Sequence, residues 1–393
     1  MNNLSEVKKT VISFLPEKGN SVNKQATSCL ADLTKKLVEL KVNSHHILKQ
    51  NIFLKVENHD QFLERKGILQ NILEGYYSND IPPTGMVSQA PANGAEIAIE
   101  VTIALDNDIK IEDKSFDNIN YKIVRVNDYI EIFACGITSL EKTNDIQKQS
   151  EIAFEKMSNI LSCENLDFSS VIRQWNYIER IHTVSANNGR LIQNYQIFND
   201  VRSKYYLHSG HFTNGYPAAT GIGMDVGGVS IDFIAASSSK QISVHSIKNP
   251  MQIDAHLYGK TVLIGSNNKK TSPKFERAKV VSNHYAGEIY ISGTAAIRGQ
   301  ETIERNEIEG QTIATIENIK ELISIDNLRK NGAEVTNDSI KLCFLRVYIN
   351  NKRDFNKVAE LCNKYFPKVP TLYLIAEICR DNLLVEIEGK AIF

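Results

Sequence analysis

The 393-residue chain is 42% hydrophobic and 23% charged, enough for a large core and too long for one ordinary domain. Lys+Arg and Asp+Glu number 45 and 46 with no basic block, which argues against nucleic acid, whose contacts need concentrated positive charge. No apolar run reaches the ~18–20 residues of a bilayer span, residues 1–6 do not read as a secretory signal, and the six cysteines are scattered without a CxxC pair, so a cytoplasmic protein with reduced thiols and no membrane contact is expected.

In chain order, one pattern occurs three times. Gln25, Gln149 and Gln311 each open a helical stretch with apolar residues at +5, +8 and +12: Leu30, Leu33, Leu37, then Phe154, Met157, Leu161, then Ile316, Ile319, Ile323. That spacing places one stripe on a helix, ready to cover a sheet. A strand-like run follows each (47–54, 171–178, 342–349), then a second helix ending in an aromatic pair: Tyr76-Tyr77, Tyr205-Tyr206 and Tyr365-Phe366. Pro83, Pro217 and Pro370 separate that helix from an extended segment. Each unit closes on an alternating strand carrying an acid: Glu100, Asp232, and Glu386 with Glu388. The predicted fold is α+β, three tandem β-β-α-β-α-β-β modules at residues 1–105, 118–236 and 272–393, with 237–271 connecting. Their apolar sheet faces can pack on one another.

This order resembles the RidA (YjgF, L-PSP) family, whose members form homotrimers with ligand sites between subunits. The resemblance implies an intramolecular pseudo-trimer, and with it a monomer. In that family an arginine in the closing segment holds the substrate carboxylate; by resemblance this role falls to Arg380, while residues 88–91 and 224–227 carry no arginine, so one complete site per chain is expected.

A more specific resemblance is to the chorismatases, which remove the enolpyruvyl group of chorismate as pyruvate. It is carried, in family order, by Arg173-Gln174-Trp175-Asn176-Tyr177, Pro217 to Gly223, Asn249-Pro250, Ala255-His256-Leu257-Tyr258, Phe275-Glu276-Arg277-Ala278, Tyr290 to Ala295, and Cys379-Arg380 through Gly389. The first module is the divergent one, expected to be non-catalytic. The resemblance implies Glu386 as catalytic acid, and Arg380, Arg202, Tyr195, Cys379, Ala219, Arg277 and Arg173 as binding residues for a small dicarboxylate, chorismate, with no metal or organic cofactor. On a strand Glu386 and Glu388 face one side, where two carboxylates would each raise the other's pKa. Trp175 fits core and cleft wall equally. The product is a dihydroxycyclohexadiene carboxylate or a hydroxybenzoate. Two other classes stay open: a RidA-like enamine/imine deaminase and a non-catalytic ligand-binding pseudo-trimer.

Three further features carry no chemistry in this reading. Gly221-Ile222-Gly223 imitates a dinucleotide fingerprint but leads into a strand, without the helix N-terminus that would hold phosphate. Cys379 has no histidine partner nearby in sequence, which makes it a site-shaping residue rather than a nucleophile. His208 with His211 reads as a loop pair without metal, and Asn267-Asn268-Lys269-Lys270 as a solvated loop.

Overall fold

The computed structural model describes residues 8–17, 19, 21–106, 109–126, 129–139, 145–187, 190–208, 215–237, 242–259, 271–283, 286–304, 307–335 and 339–393. Residues 1–6, His211 and the 267–270 stretch lie outside these.

The first module comprises β1 (Lys9–Phe14), α1 (Val22–Leu40), β2 (Ile47–Leu54), α2 (His59–Tyr77), β3 (Thr84–Val87) and β4 (Ile97–Ala104), in a sheet of order β1-β4-β2-β3. The second comprises β5 (Lys110–Phe116), β6 (Ile119–Val126), β7 (Tyr129–Thr138), α3 (Ile146–Cys163), β8 (Val171–Glu179), a β9 (Val184–Asn187) and β10 (Arg190–Gln193) hairpin, α4 (Asn194–His208), β11 (Ala218–Met224) and β12 (Val229–Ala236), with sheet order β11-β8-β12-β7-β6-β5. The third comprises β13 (Ser243–Ile247), β14 (Ala278–Ser282), β15 (Gly287–Ala295), a small β16 (Ile297–Arg298) and β17 (Glu301–Thr302) ribbon, α5 (Ile308–Leu322), α6 (Ile325–Lys330), β18 (Lys341–Ile349), α7 (Phe355–Tyr365), β19 (Thr371–Ile375) and β20 (Val385–Ile392), with order β13-β14-β15-β20-β18-β19.

Besides the β9–β10 hairpin, the β16–β17 ribbon and α6, two further elements were not anticipated: β13 falls within the stretch read as a connector, and β5 precedes the expected start of the second module. The first module differs from the expected unit in having one strand, not two, before its helix among the described residues.

The apolar stripes fold as their periods dictate. Leu30, Leu33 and Leu37, Phe154, Met157 and Leu161, and Ile316, Ile319 and Ile323 are all buried, each set between helices and the outer face of its own sheet. The inner faces of the three sheets share a fourth core, with Phe53 from the first, Phe133 and Tyr177 from the second, and Tyr290, Phe344 and Tyr348 from the third.

The repeated glutamine has a repeated task, tying the first helix to the entry of the last strand. Gln25 Oε1 accepts from the backbone N–H of Glu96 (2.8 Å) and Ile97, and Gln311 Oε1 from that of Leu384 (2.8 Å). Gln149 packs on Gly228, just before β12, where a Cβ would collide with its amide. The aromatic pair behaves likewise: Tyr77 Oη donates to Gln50 Oε1 (2.9 Å) and Tyr206 to Gln174, whereas in the third copy hydroxyl and amide are both replaced, by Phe366 and Leu345.

The closing acids explain the packing of the modules. Glu100, Asp232 and Glu388 stand opposite Asn51, Trp175 and Arg346 on the neighbouring strand. Each of those three reaches the acid of the next module, Arg346 while also lying 2.9 Å from its own, Glu388. Asn51 Nδ2 donates to Asp232 (2.6 Å), Trp175 Nε1 to Glu388 Oε1 (2.8 Å), and Arg346 grips Glu100 through Nε (3.0 Å) and Nη2. This cyclic order closes a heterologous ring of three, the arrangement of a trimer. The seams repeat it: Asp225 N–H bonds Ser88 C=O, Gly223 N–H bonds Glu377 C=O, and Ile375 N–H bonds Ala90 C=O. The fold is therefore an intramolecular pseudo-trimer.

Candidate active site

Between modules two and three lies a cleft of about 490 Å³. Module two contributes Tyr195, Ala219 and Gly221, and module three contributes Tyr258, Arg277, Gly293, Cys379, Arg380 and Glu386 among others. Six of the eight expected site residues are thus brought to one wall-to-wall space.

Glu386 sits at the start of β20, opposite Ala295 of β15 and Tyr348 of β18, and is 4% exposed. Its place gives the third module a carboxyl that the other two lack. Two residues before the ring acid, the first module has Ala98, the second Ser230 and the third Glu386. β15 is irregular between Ile291 and Thr294, and Gly293 in that irregularity passes directly under the Glu386 carboxyl. The carboxyl accepts no hydrogen bond from the described residues. Burial, and then the neighbouring Glu388 charge, raise its pKa to about 8 against the pull of Arg173 and Arg277. It is a neutral carboxylic acid at pH 7.

Around it are cations with spare donors. Arg380 Nη1 donates to Gln300 C=O (2.8 Å), while its buried Nη2 has no partner among the described residues. Arg277 donates through Nη2 to the Ile253 carbonyl and the Tyr258 hydroxyl, and its buried Nε is also unpartnered. The Tyr258 ring lies 5.4 Å from the Arg277 guanidinium and 5.3 Å from that of Arg380, holding both. Buried donors without acceptors are costly, and a bound anion would satisfy them.

Tyr195, in the first turn of α4, lays its ring on Gly221, where a Cβ would stand 2.8 Å from Cε2. Arg202 lies two turns on and does not line the cleft. It is buried against the Tyr206 ring (5.4 Å), close enough to Tyr195 to act on its hydroxyl, with Nε and Nη2 unpartnered among the described residues. Burial, and then Glu386, push the Cys379 thiol up to about 12, so it is not a thiolate nucleophile at neutral pH. Ala219 donates its N–H to Ser292 Oγ (2.9 Å), which pins β11 to the third module.

Two further expectations need correction. Arg173 is not a cleft residue: its Nη2 bonds Glu388 (2.6 Å) and Thr220 (2.7 Å), and it lines a separate cavity on the pseudo-threefold axis. It alternates with Trp175 and Tyr177 on the inward face of β8, which settles Trp175 as an axial residue. Glu386 and Glu388 do not each raise the other's pKa either. Burial raises Glu388, but Arg346 and Arg173 outweigh it and hold this carboxyl below its ordinary value. Glu388 points to the axis and Glu386 to the cleft, so one strand carries an ionised and a neutral carboxyl side by side.

Sequence reasoning assigned no role to Tyr258, Gly221 or Gly293, although all three lie in the stretches that carried the resemblance. Their signal is steric or comes from a loop, and periodicity does not register either. The run from Ala218 to Met224 is a strand, as expected of a false dinucleotide fingerprint. Among the described residues, no group of three or more His, Cys, Asp and Glu side chains could hold a metal ion, and no helix is long and apolar enough to cross a membrane.

Residues 113–235 match the family described as chorismatase FkbO/Hyg5-like, N-terminal. The chain is 30% identical over 264 residues to a 3-hydroxybenzoate synthase of Streptomyces hygroscopicus, covering 66% of this chain and 73% of that protein. It is 30% identical over 226 residues to a chorismatase of the same organism, covering 57% of this chain and 62% of the relative. A crystal structure of a chorismatase superposes with a TM-score of 0.69 at 22% identity, covering 98% of both chains, and so shares the fold from end to end. The chain belongs to the chorismatase family.

Proposed function

We propose that this enzyme removes the enolpyruvyl group of chorismate as pyruvate, with Glu386 as the proton donor. The observation that carries the reading is a buried carboxyl, neutral at pH 7, facing guanidinium groups whose buried N–H donors lack acceptors. Chorismate offers two carboxylates and an enol ether. The ether's methylene carbon is a weak base, so cleavage needs a positioned acid with its proton in place at the working pH. Transfer of the Glu386 proton to that carbon leaves an oxocarbenium ion at the ether carbon. Water or the ring's neighbouring hydroxyl attacks it, and pyruvate departs.

Arg380 and Arg277 meet the substrate carboxylates, since guanidinium pairs with carboxylate through parallel hydrogen bonds. Arg202 supports this from behind Tyr195, by its charge or after a side-chain shift. Fixing the ether against Glu386 supplies a further large share of the rate. The product is a dihydroxycyclohexadiene carboxylate or a hydroxybenzoate, and Ala219 and Cys379, which line the cleft, are the residues to influence which. The ring of three modules closes within one chain, which favours a monomer as the unit of function, and the scattered cysteines suit the cytoplasm.

The test is incubation of the purified protein with chorismate and a pyruvate assay. Pyruvate release that Glu386→Gln abolishes is the expected result. Ammonia release from imines, with no reaction on chorismate, would assign the site to deamination instead.

A further inference from the structure

The first module contributes no side chain to the cleft, yet its last strand is wired to the catalytic strand. Glu100 of β4 receives two hydrogen bonds from Arg346 of β18. The other arm of the same guanidinium, Nη1, lies 2.9 Å from Glu388 Oε1. Glu388 also takes bonds from Trp175 and Arg173 of β8 and from the Thr220 hydroxyl of β11, so the second module meets it directly and the first through Arg346. The strand then carries the effect two residues back, roughly 7 Å, to Glu386.

Glu100, Arg346 and Glu388 are each 4% exposed or less at the side chain, so their charges act through protein rather than water. We propose that Glu100, Arg346 and Glu388 are positioning residues through which the first module keeps the proton on Glu386. This rests on the reading of Glu386 as the proton donor.

The direction follows from the charges. An ionised Glu388 opposes a second negative charge on Glu386. Arg346 must hold Glu388 ionised without cancelling it, and it is shared with Glu100 for that purpose. Removing the Glu100 charge acts twice in one direction. It takes a negative charge from the network, and it frees Arg346 to turn wholly to Glu388. Both make ionisation of Glu386 easier. The other groups facing Glu386 or its cleft are Arg173 from β8, Arg277 from the entry to β14, Tyr195 from α4, Cys379 and Arg380, whereas the hydrogen bonds to the Glu100 carboxylate among the described residues come from Arg346.

The test titrates Glu386 directly, without substrate. The infrared carboxyl band that disappears in Glu386→Gln is followed against pH in the full-length protein, its Glu388→Gln variant and its Glu100→Gln variant. Glu388→Gln should lower the midpoint by about one pH unit or more, because a unit charge at this separation is worth at least that much in a buried site. Glu100→Gln should lower it in the same sense by a smaller amount, and the alkaline limb of the pH–rate profile should move with it. A merely structural role for Glu100 would reduce stability and leave the midpoint in place, which would overturn the proposal.

If Glu100→Gln does not fold, Glu100→Asp reads the same link. Its shorter reach loosens the two-point grip, so the midpoint should fall slightly, and an unmoved midpoint there is equally fatal. The two readings fail separately. Coupled titration with no pyruvate from chorismate would remove the assigned reaction and leave the relay, whereas pyruvate release with uncoupled titration would remove the relay alone.

Discussion

Gly293 and Glu386 occupy one point in space from two strands: a Cβ on the glycine would collide with Oε1 of the carboxyl. The glycine is therefore the floor on which the proposed proton donor rests. Gly293→Ala should force the carboxyl aside and lower kcat for pyruvate release by about 10-fold or more, since small displacements of a reacting group are costly. Thermal unfolding and circular dichroism should stay near wild type. Unchanged kcat would mean that the carboxyl does not act from this position.

Replacing the acid itself separates binding from chemistry. Glu386→Gln keeps the size and a polar amide but loses the transferable proton. Turnover should fall by roughly 10²-fold or more, while chorismate affinity, read by calorimetry, should remain nearly intact. Retention of more than about a tenth of wild-type turnover would place the proton source elsewhere.

The rate should depend on pH in one direction. A donor with a pKa of about 8 is protonated below that value, so turnover should be flat through neutrality and fall as pH rises through about 8. A limb near pH 4 to 5 instead would indicate an ordinary exposed carboxyl.

Stability follows the same group with a defined sign. The folded value, about 8, stands above the ordinary 4.5, so the native state binds the proton more tightly than the unfolded chain. That contribution is complete below pH 4.5 and is lost as pH rises through about 8. Glu386→Gln has no such loss. Its melting temperature should therefore gain on wild type between pH 6 and pH 9 (by ~2 °C or more). Parallel curves over that range would show that Glu386 ionises as easily in the fold as outside it.

The cleft arginines and the axial arginine should respond differently. Arg380→Ala and Arg277→Ala should raise KM for chorismate by about 10-fold or more each, because a desolvated carboxylate loses a charged partner. Arg173→Met should instead destabilise the protein by ~3 kcal/mol, since it leaves Glu388 buried with one cation fewer. Equal loss of stability in all three would deny the distinction.

The repeat was legible in the sequence because it is written in local terms. Three glutamines, three apolar stripes at helical spacing and three aromatic pairs specify the same helix-on-sheet unit, whose period any chain must obey to bury that face. The three glutamines were visible as markers, but that Gln25 and Gln311 clamp the entry to the last strand appears only in the fold. The closing acids were visible too, but their destination was not. Glu100, Asp232 and Glu388 look alike along the chain, and each finds its partner in the preceding module of the ring, 246, 181 and 213 residues away.

The sequence by itself determined the modules, their number and the strand that bears the acid, since those depend on periodicity and on side chains adjacent along one element. The tertiary structure decided which carboxyl is charged. Glu386 and Glu388 stand on the same strand face, and only the closed ring supplies the difference, giving Arg346, Arg173 and Trp175 to one and a cleft without a hydrogen-bond partner to the other. It also moved Arg173 from the cleft to the axis and brought Tyr258 beneath two guanidinium groups. Desolvation and charge are sums over everything within several ångströms, and those neighbours come from three modules that meet only when the chain has closed on itself.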